Sequence, residues 1–510
     1  MNTIQNLNIF DIYESNSVSL SNVTAIHYGA DDFTYSDLFE KTTRLAGGLK
    51  NLGLKPGSRV ALLCHNHPVF FHLFGACAAL NLVLVLINRR LSSEEIRYIV
   101  EDTTPDLIVA DSDQEEIVSG LVQALPFLNN YYIVQPCGKK GSQGDEHDIL
   151  SLYSSTPIGE RVSGSMDDPF LIIHTAAVQG KPRGAVLSHG NVIFANQQVI
   201  SEFKIDSTQA YLNILPLFHV MGVNMGLAAL QAGGKNVILE KFDPEKTLEL
   251  IQDQKVNLIG SFPPILNNLM EAAEQDQYDL SSLRIAAGIE QPETVTKWEA
   301  FSGSKFWTMY GQTETSGLIT FSEYFSKKGS AGKISTLVNL KIMDDLDNIL
   351  PTGETGEIVV RGPLVFKGYW QADDLNEYTF RENWHHTGDL GMIDSDGFLF
   401  FKGRKAEKEL IKPGGENVFP AEVEKVIMEH PAVKEVCVFG VPDPKFGEGI
   451  KAVCALHDGQ KLTTEQLIEF TGTKIASYKK PRYVQFIEEL PKAENGSIDR
   501  ETIKSGCQTV

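Results

Sequence analysis

The sequence predicts an α/β protein. It has a large N-terminal domain of α/β sheet subdomains plus a β-rich subdomain, and a small mobile α+β domain at the C-terminal end. Three observations carry this expectation. The chain has 510 residues, too many for one core of ordinary size. Helical patterns, turns and short apolar strands alternate through Asn257 and onward, as they do in open sheets of parallel strands. Past about residue 330 short strands and turns take over, and the stretch GRKAEKELIKPGG from Gly403, charged and then Pro- and Gly-rich, reads as a linker. The expected domains are 1–404 and 405–510.

Each element follows from local chemistry. Thr34 and Asp37 have capping-box spacing, and Leu38, Leu45, Leu49 and Leu52 follow at helical intervals. Gly53 and the Lys-Pro-Gly at 55–57 stop that helix, and RVALL from Arg59 reads as a buried strand. Phe70 to Ile87 is nearly unbroken apolar and about long enough to span a bilayer. His72 and Asn81 interrupt it, and LVLVLI after Asn81 has the β-branched, short character of a buried parallel strand, so helix then strand is expected. EIVVRG from Glu357 and DSDGFLFFKGR from Asp394 supply the β-rich part. AEVEKVIMEH, VKEVCVFGV, IKAVCAL and LIEFTGTKI then supply the α+β domain.

Composition excludes several classes. With 42% apolar and 22% charged residues the chain is globular. The 45 Lys and Arg against 66 Asp and Glu give a net charge of −21, which repels nucleic acid and anionic lipid, and no local basic patch reverses it. The six cysteines form no CxxC and no metal-ligand spacing with histidine, as expected of reduced thiols in a cytoplasmic protein. The first residues lack the basic start and apolar run of a secretory signal, and Cys507 lacks the aliphatic followers of a prenylation site. No nucleic-acid partner and no integral membrane segment are expected. The oligomeric state is not legible.

The chemistry lies in blocks of fixed order: PLFHVMG at Pro216, MYGQTE at Met309, HTGDLG at His386, FKGR at Phe401 and KPGGENVFPAEVE at Lys412. With YSDLFEKTTRLAGGLKNLGLKPGSRVALL at Tyr35 and ASYKKPRYVQFIEELPK at Ala476, they resemble the adenylate-forming superfamily, which includes acyl-CoA synthetases, adenylation domains of peptide synthetases and luciferases. The resemblance covers almost the whole chain. It implies ATP, Mg²⁺ and coenzyme A, with a small-molecule carboxylic acid as the other substrate.

The resemblance also implies roles. Asp389 falls where a carboxylate grips the ribose hydroxyls, an ionised carboxylate being able to accept both O–H donors of a cis-diol. Tyr310 falls at the ring that stacks on adenine, with Gly311 beside it among the nucleotide-binding positions. Thr313 and Glu314 match the pair that contacts phosphate and Mg²⁺, a hydroxyl for the phosphate and a hard anion for a hard cation. Arg404 reaches ribose or phosphate as a fixed cation. His219 gates the acyl pocket. Gly414 and Gly415 lack side chains where pantetheine approaches the adenylate after the small domain turns. The hinge falls on Glu409, with two more residues after Arg404 than the usual pattern has.

Three stretches depart from the superfamily. The phosphate loop, usually TSGTTGxPKG, reads TAAVQGKPRG from Thr175 to Gly184. Ala176, Val178 and Gln179 replace hydroxyl residues and Ala177 replaces a glycine, leaving Thr175, Gln179, Gly180, Lys181 and Arg183 to hold phosphate. Near the C-terminus PKxxxGKIxR becomes PKAENGSIDR, so Ser497 stands where a lysine offsets charge during adenylation. Lys492 is the nearest substitute, and a solvated surface position is the more ordinary reading of it. AAGIEQPE from Ala286 replaces the usual Gly-Ala-Pro run. The expected activity is that of an AMP-forming acyl-CoA ligase, run forward or in reverse. The alternative is a nucleotide- or acyl-CoA-binding protein without efficient adenylation, and the acid is not legible.

Overall fold

The computed structural model describes residues 7–139, 147–154, 156–178, 181–274, 277–405, 410–492 and 498–507. Gln179, Gly180, Glu409 and Ser497 lie outside the described residues, as does the side chain of Lys181.

Two large sheets form the N-terminal part. The first runs in the order Gly368–Tyr369, Lys181–Ser188, Pro169–Val178, Val83–Leu86, Arg59–Leu63, Leu107–Asp111, Asn130–Val134. Its last five strands are parallel and its first three pair antiparallel. The second runs Lys333–Ile334, Gly317–Glu323, Lys305–Gln312, Ile285–Gly288, Leu258–Ser261, Ala210–Asn213, Lys235–Ile238, Thr24–Tyr28, Asp31–Thr34. Its six inner strands are parallel, and antiparallel pairs close both edges. Strands such as Val83–Leu86 and Leu258–Ser261 are buried at every position, which explains their unbroken apolar sequence.

The expected helices form where their caps predict. Thr34 and Asp37 make a reciprocal capping box for helix Tyr35–Asn51, which buries Leu38, Leu45 and Leu49. Helix Val69–Leu80 is buried at all twelve positions, so its apolar residues face protein on every side. Asn81 takes a left-handed conformation (φ 55°) that ends this helix and starts the strand Val83–Leu86. Among the described residues no helix is long and apolar enough to cross a membrane.

The β-rich part is a sheet of Asn339–Met343, Gly356–Arg361, Trp384–Ile393 and Phe380–Arg381, with Leu399–Arg404 also paired to Trp384–Ile393. Gly403 and Arg404 therefore end a strand, where the sequence suggested the start of a linker. Their partners across the ladder are Leu390 and Asp389. The C-terminal part has helix Pro420–Met428, the hairpin of Val433–Asp443 and Gly447–Leu456, a parallel strand Tyr483–Phe486, and helices Thr464–Gly472 and Arg500–Gly506. It has its own core, with Val423, Ile427, Val438, Ala452 and Leu467 fully enclosed.

Candidate active site

The candidate site lies at the C-terminal ends of parallel strands in the nine-stranded sheet, the usual ligand edge of an open α/β sheet. There Phe262 follows Leu258–Ser261, Gly288 ends Ile285–Gly288, and Tyr310 to Gln312 end Lys305–Gln312. Gly311 is required by close approach, since a Cβ there would lie 2.1 Å from the Gly317 carbonyl oxygen.

Asp389 is the centre of the polar groups. Tyr310 donates its hydroxyl to Asp389 Oδ2 (2.7 Å), Gln312 donates Nε2 to the same oxygen (3.4 Å), and Arg404 donates Nε to Oδ1 (2.9 Å). Asp389 is buried. Burial first, and then the Asp389 carboxylate, push the Tyr310 phenol well above its ordinary pKa, so it stays a neutral donor. Beneath this turn Glu357 accepts from the Gly388 backbone N–H (2.8 Å) and pairs with Lys405 (3.0 Å) and His386 (3.1 Å). Burial pushes the Glu357 carboxyl up, but these bonds outweigh it and hold it at about 2.

Thr313 and Glu314 share one tight turn, Thr313–Thr315. Tyr369 donates its hydroxyl to Glu314 Oε1 (2.6 Å), while Oε2 accepts no hydrogen bond from the described residues. That leaves a hard carboxylate oxygen available to a hard cation. On either side of Gln179 and Gly180 the phosphate-loop run is strand: Thr175 pairs with Arg183 and Val178 with Lys181, between strands Pro169–Val178 and Lys181–Ser188. The superfamily pattern at this run is a Gly- and hydroxyl-rich loop; here the loss of the glycine at Ala177 and the β-branched Val178 favour extended backbone. Arg183 Nε is buried and makes no hydrogen bond to the described residues.

His219 caps helix Val220–Gln231 and meets Glu416 of the C-terminal part (Nε2 to Oε2, 3.2 Å). Glu416 is buried, and it also accepts from Arg90 (2.5 Å) and Asn88 (3.1 Å). Burial alone would push its carboxyl up; His219 and Arg90 reverse that and hold it at about 2. The turn before it needs glycine twice. Gly414 (φ +59°) and Gly415 (φ +85°) are left-handed, and a Cβ on Gly415 would lie 3.0 Å from Phe262.

The sequence does not single out four contributors, although Gln312 and Lys412 lie within its blocks. Gln312 and Tyr369 complete Asp389 and Glu314, and Arg90 receives Glu416. Lys412 is half-buried two residues beyond Leu410, whose carbonyl accepts from Arg404 (3.2 Å). Burial first, and then Arg404, bring the Lys412 amine down to about 8 against the pull of Asp389 and Glu448. Charge repeated beside Arg404 is the signal, and it exists only once the chain is folded. Lys492 pairs with Glu435, away from these groups.

The AMP-binding enzyme family model matches residues 14–370, and the AMP-binding enzyme C-terminal domain model matches 422–497. Feruloyl-CoA synthase from Amycolatopsis sp is 32% identical over 93% of this chain and 94% of its own. Long-chain-fatty-acid–CoA ligase FadD13 from Mycobacterium tuberculosis is 31% identical over 92% of each chain. A double mutant of o-succinylbenzoate CoA synthetase from Bacillus subtilis, bound with its product analogue OSB-NCoA, is 26% identical over 98% of each chain and superposes with a TM-score of 0.84. The same enzyme in complex with AMP, also 26% identical over 98% of each chain, superposes with a TM-score of 0.70.

Proposed function

The chain belongs to the AMP-binding enzyme family, and on that premise we propose that it is an AMP-forming acyl-CoA ligase joining a small-molecule carboxylic acid to coenzyme A. The family matches the resemblance carried by the sequence blocks. In the first half-reaction the acid's carboxylate attacks the α-phosphorus of ATP, giving acyl-AMP and pyrophosphate. In the second, the coenzyme A thiolate attacks the acyl carbon and AMP leaves.

Asp389 grips the ribose diol, and Arg404, already bonded beside it, faces phosphate. Tyr310 and Gln312 fix the carboxylate so that little reorganisation is needed on binding. Thr313 and Glu314 hold phosphate and Mg²⁺, with Glu314 Oε2 the available ligand atom; Mg²⁺, when bound, offsets the charge of the triphosphate tail. Thr175 and Arg183 contribute to the phosphates from their paired strands, together with Gln179, Gly180 and Lys181. Lys412 supplies a further cation beside AMP. Gly414 and Gly415 leave room for pantetheine between Phe262 and His219, which closes the acyl pocket.

The observation that carries this reading is the meeting of the Lys412–Glu416 turn with Arg404, Asp389 and His219 at one strand edge. The packing of the Gly414–Gly415 turn against Phe262 supports a small domain standing in its thioester-forming position. We take the domains as 1–404 and 405–510. The scattered cysteines, with no CxxC and no metal-ligand spacing, support a cytoplasmic location. The test is pyrophosphate release with ATP, coenzyme A, Mg²⁺ and a panel of short, medium, aromatic and dicarboxylic acids. Release that depends on one of the acids is the expected result. Background release with every acid would leave a nucleotide- or acyl-CoA-binding protein instead.

A further inference from the structure

We propose that Lys479 is a positioning residue for thioester formation: through Glu95 it fastens the small domain to the large one and so holds the Gly414–Gly415 turn against Phe262. This inference rests on the ligase reading above.

Lys479 lies in the turn Ser477–Lys479 of the C-terminal part, and its side chain is 4% exposed. Its amine meets two carboxylates. One is Glu422, in the first turn of helix Pro420–Met428 in the same domain, at 2.5 Å. The other is Glu95, on helix Ser93–Thr103 of the N-terminal part. Both carboxylates are largely buried, at 12% and 14% exposure, so water screens the triad little. Burial alone would lower the Lys479 pKa, but Glu422 and Glu95 outweigh it, raise it and keep the amine charged.

Glu95 is itself held in place. Its Oε2 accepts from the Ser92 backbone N–H (2.7 Å) and hydroxyl (2.8 Å), the reciprocal half of a capping box, while Oε1 faces Lys479. The acceptor is therefore oriented by its own helix before the small domain arrives.

The same short segment of the large domain makes a second crossing contact, of opposite sign. Arg90 bonds Glu416, and five residues later Glu95 bonds Lys479. The large domain offers a cation and an anion, and the small domain answers with an anion and a cation. A misdocked small domain would set like charges together, so the crossed pairs specify one seating. That seating places Gly415 beside Phe262 and Gly447 beside Pro263. Lys479 bonds neither Asp389 nor Glu314, so it acts through the docked turn and not on substrate.

The variants are Glu95→Gln, Lys479→Met and Lys479→Arg. Glutamine at 95 preserves the capping box and leaves Lys479 paired with Glu422, so it removes only the ionic bond between domains. Thioester formation is measured in single turnover from chemically prepared acyl-AMP and coenzyme A, and adenylation by ATP–pyrophosphate exchange. E95Q and K479M are expected to slow thioester formation about tenfold or more, the worth of one charge-assisted bond. K479R should stay near the parent, and exchange should not fall in any variant. Equal losses in both half-reactions, an unslowed thioester step, or a loss in K479R matching K479M would overturn the proposal. Amide hydrogen exchange over residues 88–103 reads the docking directly, and should quicken in E95Q and K479M. If the parent makes no thioester from any adenylate, the ligase reading fails while this exchange still decides whether Lys479 fastens the domains; unchanged exchange would overturn that as well.

Discussion

Asp389 is where the nucleotide reading concentrates, because one buried carboxylate gathers Tyr310, Gln312 and Arg404. Replacing it by alanine removes the diol acceptor and strands the Arg404 guanidinium. AMP affinity measured by calorimetry should then fall by roughly a hundredfold, from two charge-assisted bonds lost. Undiminished affinity would remove Asp389 from the site. Lys412 makes a pH-dependent prediction. Its amine, lowered to about 8 in the nucleotide-free protein, is raised again when phosphate binds beside it. Above pH 8 AMP binding must therefore take up a proton, and affinity falls as pH rises, by up to about tenfold per unit. Below pH 8 the amine is already charged and no dependence arises from it. Calorimetry in buffers of different ionisation enthalpy reads that proton, and Lys412→Met should abolish the uptake. Asp389 and Arg404 are legible in the sequence because their blocks are short and contiguous. The role of Lys412 is not, because its lowered pKa depends on burial first and then on Arg404, and both arise only in the folded chain.

At the scale of the element, the turn at Gly414 and Gly415 and the strand ends beside it decide what can dock. Gly415→Ala puts a Cβ into left-handed backbone and toward Phe262. The cost of about 1–2 kcal/mol should slow thioester formation from acyl-AMP about tenfold, with ATP–pyrophosphate exchange retained. Glu290, after strand Ile285–Gly288, accepts from Ser261 (2.9 Å) and lines a cavity of about 340 Å³ with Pro263, Asp443 and Lys445. Burial raises its carboxyl to about 7 despite the bonds from Ser261 and Gln291. A raised carboxyl favours the folded state when protonated, so its ionisation costs stability as pH climbs from 4.5 to 7. Glu290→Gln should thus stabilise the protein at pH 8 by up to about 3 kcal/mol, with the gain vanishing near pH 4; urea titrations at the two pH values check it. Helix Tyr35–Asn51 and the strand after Asn81 are legible because caps and apolar runs are local signals. The pairing of Thr175 with Arg183 and of Val178 with Lys181 is not, because the superfamily pattern at that run is a glycine-rich loop.

Across the whole molecule, the two domains meet through pairs remote in sequence. Arg90 and Glu416 are 326 residues apart, and Glu95 and Lys479 are 384 apart. No pattern in the chain announces such pairs, whereas the division into a large α/β part and a small α+β part follows from a change of texture that any reading meets. The docked arrangement gathers Asp389, the glycine turn and His219. On the proposed reading that arrangement serves thioester formation, and Ser497 in place of a lysine and the altered phosphate run bear on adenylation. The most direct measurement is therefore single-turnover thioester formation from prepared short, medium, aromatic and dicarboxylic acyl adenylates with coenzyme A, set beside the complete reaction from ATP and the same acids. The account predicts acyl-CoA and AMP from at least one adenylate, at a rate above that of the complete reaction. Binding of AMP without thioester from any of them would contradict it.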